Sequence, residues 1–326
     1  MKNKTGISAT SIALSAFISV IILVLFFYFI DFRQFFSLIK NINLTFITLA
    51  IFCQVIVYYM RAKRFQFILN IRQIQTLYSI STIHFFLNKI LPARLGEFSL
   101  PIFFNKFSNI SYKKGISALL FFRFLDLLSI IGLFSLSLFF ITIQDLNEYI
   151  LVLSAVILLL ILILLWLKLE MAIVMMEKLV DKIQFRVFSR FKSKILETFD
   201  QIKQYKNNKP YRFWGKILLL SLFNWLLTYC FFYSITIAFN LEYSFIEVVF
   251  AATLSNFTLI LPLSTFGGIG TFEIGWAAGF MILGMSKEIA IPIGLFTNLF
   301  ATILTGIMAF LGYLYLISTD TRKDFK

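Results

Sequence analysis

The sequence predicts an all-α protein that crosses a membrane several times: about six full spans and two re-entrant broken-helix pairs, arranged as inverted repeats, in about eight hydrophobic segments. Three observations carry this. The 326 residues are 60% hydrophobic and only 14% charged, with a mean hydropathy of +0.88, where a soluble domain is about half apolar and about a quarter charged. Several segments hold ~18 or more apolar residues, enough to cross a hydrocarbon core. The basic residues gather in short loops beside these segments, the mark of cytoplasmic loops.

The same composition excludes several classes of function. The longest polar stretch, 168–212, is too short and too simple for an enzyme module. The net charge of +14 sits next to apolar spans, so anionic lipid headgroups are the expected partner and nucleic acid is not. Cys53 and Cys230 both fall inside predicted spans and form neither a disulfide framework nor a metal spacing. His84 is the only histidine, which leaves little for a metal site or a Ser/His/Asp relay. No Walker motif is present, and no metal, cofactor or ATPase activity is expected.

Taken in order, Lys2 and Lys4 precede the apolar run 11–30. The run is longer than a signal-peptide core and lacks a small-residue cleavage site, so it reads as a retained first span. Further full spans are expected at 44–60, 116–141, 149–167, 214–239 and 289–317. Two apolar stretches, 74–104 and 246–284, differ. Each is interrupted near its middle by Pro, Gly and polar residues, and each half is short of the ~20 residues a span needs. They are expected to be pairs of half-length helices that enter and leave by one side.

Loop charges orient these segments. Arg61, Lys63, Arg64 and Arg72 in 61–75, and Lys106, Lys113 and Lys114 in 105–114, stand without acids and mark the cytoplasm. Asp145 and Glu148, and then Glu242 and Glu247, lie in loops without bases and fit the outside. The basic segment 168–213 and the tail 319–326, with Arg322, Lys323 and Lys326, read as cytoplasmic. Both termini are expected in the cytoplasm, with a bacterial cytoplasmic membrane as the location. The chain then divides into two membrane repeats of opposite orientation, 1–143 and 144–318. The segment 168–213 reads either as amphipathic helices on the cytoplasmic leaflet or as a solvated connector.

The two interruptions carry matching residues. The first reads LPARLGE at 91–97 and the second LPLSTFGGIGTFE at 261–273: Leu-Pro, then glycine, then glutamate. Inverted repeats with broken helices at corresponding positions are a transporter architecture with the substrate between the repeats. Pro92 breaks the first helix, and the amides that start its second half attract anions. Arg94 adds a planar guanidinium suited to phosphate. Gly96 permits close approach, and Glu97 offsets Arg94 in an empty site or sits near the same helix start. Gly267, Gly268 and Gly270 leave bare backbone ahead of Glu273, a weaker phosphate-cradle signal. A charge at bilayer depth costs at least ~2.5–3.5 kcal/mol, so Arg94, Glu97 and Glu273 are expected to act if deep. The plain alternative is shallow placement, with Arg94 snorkelling to the headgroups.

FFRFLDLL at 121–128 puts Arg123 and Asp126 on one helix face. They form either a structural ion pair between helices or a cavity lining. His84 and Asn88 read as a buried polar contact, and Asn224, Asn256 and Asn298 as interhelical hydrogen bonds.

LPARLGE, then FRFLD, then the late LPLSTFGGIGTFE resemble the lysylphosphatidylglycerol synthase transmembrane-region family of flippase-like membrane proteins, over roughly 10–318. The resemblance implies a membrane domain that moves lipids with charged headgroups between leaflets. It carries the family's motif positions to Pro92, Arg94, Gly96, Glu97, Arg123, Asp126, Gly268, Gly270 and Glu273. Multidomain members add a soluble aminoacyl-transfer domain. This chain stops at Lys326, so synthase activity is not expected. The expected cargo is an anionic or aminoacylated lipid, or a polyprenyl-phosphate carrier. The competing classes are an intramembrane lipid-modifying transferase with Glu97 or Glu273 as base, and a non-catalytic membrane partner of an envelope-lipid synthesis enzyme.

Overall fold

The computed structural model describes residues 32–143, 147–167, 210–260 and 268–324. The expected first span at 11–30 and nearly all of 168–213 lie outside the described residues. Among the described residues every regular element is helical. In chain order these are α1 (Phe32–Lys40), α2 (Leu44–Leu69), α3 (Ile74–Ile90), a 3-10 turn (Pro92–Phe98), α4 (Ser99–Ser108), α5 (Tyr112–Ser137), α6 (Glu148–Leu167), α7 (Tyr211–Ala238), α8 (Phe245–Ile260), α9 (Thr271–Ile282) and α10 (Lys287–Asp324).

Four stretches are long and apolar enough to cross a membrane: Leu44–Leu69, Tyr112–Ser137, Arg212–Ala238 and Lys287–Thr319. They match the expected spans at 44–60, 116–141, 214–239 and 289–317. The expected span at 149–167 is helix α6, whose described apolar part, Glu148–Leu164, is shorter. The protein is an all-helical, polytopic integral membrane protein.

Local sequence sets the helix ends. Asn43 caps α2 by accepting the Thr45 N–H at 3.0 Å, and Ser111 accepts the Lys114 N–H at 3.4 Å to start α5. Asn70, Asn109 and Asn240 close α2, α4 and α7 in the left-handed region, which a short polar side chain tolerates.

The two interrupted stretches are broken helices. Leu91, at φ −76 and ψ 133, is extended, as the residue before a proline is driven to be. Pro92 then opens a seven-residue 3-10 turn, longer than such turns usually run, and α4 continues from it. At ~1.5 Å per residue, the 17 residues of α3 measure about 26 Å, and the 16 of α8 about 24 Å. Both fall short of a ~30 Å hydrocarbon core.

The contacts show where each broken stretch opens. Arg72–Thr76 at the start of α3, Phe107 at the end of α4, and Tyr315, Leu316 and Thr319 on α10 line one cavity of about 400 Å³. The pair α3/α4 therefore starts and finishes at one end of the molecule. The start of α7 joins it there, through Phe213 stacked on Phe67 with centroids 4.9 Å apart. At the opposite end, the Asn43 N–H donates to the Ala238 carbonyl at 2.9 Å. Tyr243, ahead of α8, meets Phe280 at the end of α9, 5.3 Å between rings. The pair α8/α9 thus starts and finishes at this second end. Two apolar cores follow the same division. One gathers Leu77, Phe104, Phe122, Ile217 and Leu316. The other gathers Tyr229, Val249, Phe272, Trp276 and Phe280.

Candidate functional site

Charged groups lie inside the membrane-long helices, with Arg123 and Asp126 at mid-length of α5. Asp126 on α5 receives Arg64 of α2 at 2.5 Å, with side chains only 2% and 14% exposed for Arg64 and Asp126. Trp225, halfway along α7, donates its indole N–H to Asp126 Oδ1 at 3.0 Å. Ser221, one turn before it, accepts from Arg64 at 3.1 Å. The Arg64 guanidinium also lies 4.7 Å from the Phe122 ring, a favourable place for a desolvated cation. Three helices are tied by this ion pair, and a buried pair is tolerable only with such extra bonds.

A second pair links the first helix break to α5. Arg123 Nη2 donates to Glu97 Oε1 at 3.1 Å, and this pair is more open, 36% and 25% exposed. Behind it, His84 is completely buried. Its Nδ1 is 3.2 Å from the Gly96 carbonyl and 3.1 Å from Ser99 Oγ, while Ser99 donates to Gly96 O at 2.6 Å. Gly96 is pressed onto the Leu87–Asn88 backbone so closely that a Cβ would overlap it. The 3-10 turn thus folds back on α3 through Gly96 and His84, leaving Glu97 pointing to Arg123.

The second break is closed differently. Gly268 and Gly270 have φ of 65 and 89, values that L side chains adopt only with strain. Gly270 caps α9, and its N–H donates to Glu273 Oε2 at 2.6 Å. The other oxygen, Oε1, accepts from Asn298 Nδ2 on α10 at 3.0 Å. Glu273 is completely buried and neutralises its own helix start. Asn298 has a second partner, since Lys89 Nζ, near the tip of α3, donates to its carbonyl at 3.1 Å. The tips of the two helix pairs meet at Asn298.

Against protein-family models, residues 12–309 match the family described as "Lysylphosphatidylglycerol synthase TM region". The chain belongs to the lysylphosphatidylglycerol synthase transmembrane-region family. No curated protein matches it.

All ten residues read from the sequence as a site fall within this family match. The structure places Glu97 with Arg123, and Asp126 with Arg64. Arg123 and Asp126 share a face of α5 but each pairs with a different element, because side chains three residues apart diverge toward separate neighbours. Pro92 and Arg94 stand in the first turn of the 3-10 segment. Their side chains lie outside the described residues, as does Gly267. The buried polar role expected of His84 holds, as does the interhelical bond expected of Asn298. Three participants were missed. Arg64 read only as a loop charge, because its place inside a 26-residue helix could not be seen. Lys89, just before Leu-Pro, was given no role, although a lone lysine there was its own signal. Trp225 gave no signal among the many aromatics of this lysylphosphatidylglycerol synthase transmembrane-region chain.

Proposed function

We propose that the protein moves a lipid with an anionic or aminoacylated headgroup, or a polyprenyl-phosphate carrier, between the leaflets of a bacterial cytoplasmic membrane. The observation that carries this reading is the meeting of two broken-helix tips, opening at opposite ends, among ion pairs anchored at mid-length of α5. Ionisable groups at that depth are costly and mark pathways.

Helix packing supports an inverted repeat. When the first-half elements α2, α3, α4 and α5 are exchanged with α7, α8, α9 and α10, neighbours map onto neighbours. The pair α3·α10 becomes α8·α5, α4·α5 becomes α9·α10, and α2·α3 becomes α7·α8. The pair α2·α7 maps onto itself, where a two-fold axis would lie. On this reading the broken pairs re-enter from opposite sides, the basic ends face the cytoplasm, and substrate passes between the repeats.

Membrane lipids are the partners, and an envelope-lipid synthesis enzyme is a candidate supplier of cargo. We read the chain as a non-enzyme. A transferase needs a carboxylate free to act as base, whereas Glu273 accepts two hydrogen bonds and Glu97 is ion-paired. The test is reconstitution into vesicles carrying fluorescent lipids, with leaflet exchange scored by an impermeant quencher across headgroups. Exchange of anionic or aminoacylated lipids above protein-free vesicles is expected. Equal rates with and without protein for every headgroup would overturn the proposal.

A further inference from the structure

Beside the Glu97–Arg123 pair lies a layer of cationic and imidazole groups that neither helix break uses. Arg61, His84 and Arg123 stand about 12, 15 and 17 Å along α2, α3 and α5 from the end where α3/α4 opens, by the ~1.5 Å rise. Arg61 lies 3.7 Å from the Phe85 ring and 5.0 Å from that of Tyr58, and His84 lies 5.1 Å from Phe85. Arg123 is tied to the same turn through Glu97, whose neighbour Gly96 meets His84 Nδ1 through its carbonyl. Among the described side chains here, Arg61, Arg64 and Arg123 face only Asp126 and Glu97, and the ion pairs use Arg64 and Arg123. One cation is left over, cushioned by aromatic faces.

Among the buried atoms without partners in this layer are two guanidinium donors, Arg64 Nε and Arg123 Nε, together with Asn88 Oδ1 and His84 Nε2. The state of Nε2 follows from the other side of the ring. Ser99 gives its one hydroxyl proton to the Gly96 carbonyl, and a carbonyl can only accept. Neither neighbour offers Nδ1 a hydrogen, so Nδ1 donates. In the neutral ring Nε2 then carries a bare lone pair. An orphaned donor and an orphaned acceptor, beside surplus positive charge, call for a ligand that supplies the complement of each.

Resting on the transport reading, we infer that Arg61 and Arg123 take the phosphate of a lipid phosphodiester and that His84 Nε2 accepts a hydrogen bond from a hydroxyl or ammonium on the same headgroup. His84 is thereby a specificity-determining residue. It selects headgroups with a donor near the phosphate over equally charged headgroups without one. The pair formed by Arg123 and Glu97 is partly exposed, which leaves the layer open to an arriving headgroup.

The single histidine makes a direct experiment possible, because 15N-histidine labelling of the full chain reports His84 alone. The free protein should show the tautomer protonated at Nδ1. Phosphatidylglycerol, which carries hydroxyls, should shift the Nε2 resonance in the direction of an accepted hydrogen bond. Phosphatidylmethanol, with the same phosphate charge and no donor, should leave it in place. Phosphatidylglycerol should bind about tenfold tighter of the two, the scale of one buried acceptor satisfied or not. His84→Asn retains a donor where Nδ1 stood and removes Nε2, so it should erase the preference. Arg61→Gln should weaken both lipids alike. An Nε2 resonance that ignores phosphatidylglycerol, or follows both lipids equally, overturns the inference whether or not the variants fold. Deacylated glycerophosphoglycerol should cause no shift at the same concentration. A full shift with it would reassign the site to soluble phosphodiesters. Leaflet exchange without the Nε2 shift would sink this inference alone, and the shift without exchange would sink the transport reading alone.

Discussion

The two helix breaks share a sequence pattern and deploy it in opposite ways. In the second, Glu273 folds back on Gly270 and is fixed by Asn298, fully buried and with both oxygens engaged. In the first, Glu97 turns away from its own segment to reach Arg123 on another helix, and the pair stays partly exposed. Position explains the difference. Glu273 is the third residue of α9, where a carboxylate reaches back to the helix start. Glu97 lies late in a 3-10 turn that Pro92 opens without any acid in its first turn. A glutamate that serves as a buried cap is scaffold, whereas one in a partly exposed ion pair with another helix is placed to release that partner to a ligand. Under the proposed transport function, the working role would fall to the first break and the supporting role to the second.

The largest expected effect is all-or-none. Single cysteines replacing Asn70 and Ser111, in a background without Cys53 and Cys230, should react with an impermeant reagent from one side of sealed vesicles. A cysteine replacing Ser286 should react from the other. Labelling of 70 and 111 from opposite sides would mean that α3/α4 crosses the membrane, and the two breaks would no longer be counterparts.

Next in size is Glu273→Ala. It orphans the Gly270 N–H, at about 1–3 kcal/mol, and removes the acceptor of the Asn298 Nδ2 bond, and should lower the melting temperature in detergent more than Glu97→Ala does. The reverse order would dissolve the contrast. Gly270→Ala follows at about 1–2 kcal/mol, because φ of 89 strains an L side chain. A melting temperature equal to that of the unaltered protein would show that the second break is not fixed as described. Smallest is Glu97→Gln, at about 0–1 kcal/mol for a partly exposed pair.

Much of the fold was legible in the sequence. Apolar run lengths gave four of the long helices, since a membrane span needs little beyond length and hydropathy. Pro92 and the glycines at 268 and 270 marked both breaks, because their backbone preferences are intrinsic. The pairing of charges was not legible. Arg123 and Asp126, one turn apart, looked like a unit, yet packing sends them to Glu97 and Arg64. Arg64 and Trp225 come together only when α2, α5 and α7 are assembled, and no local pattern records that. Asn298 read as an ordinary interhelical bond, although its neighbours turn it into the joint between both tips.

The most direct test sets Glu97→Gln beside Glu273→Gln, each assayed for melting and for leaflet exchange per folded molecule. Glu97→Gln should melt with the unaltered protein and lose most of its exchange of anionic lipids. Glu273→Gln should melt lower, while its folded fraction exchanges lipid at the unaltered rate. Full exchange by Glu97→Gln, with loss confined to Glu273→Gln, would contradict the assignment of the working site to the first break.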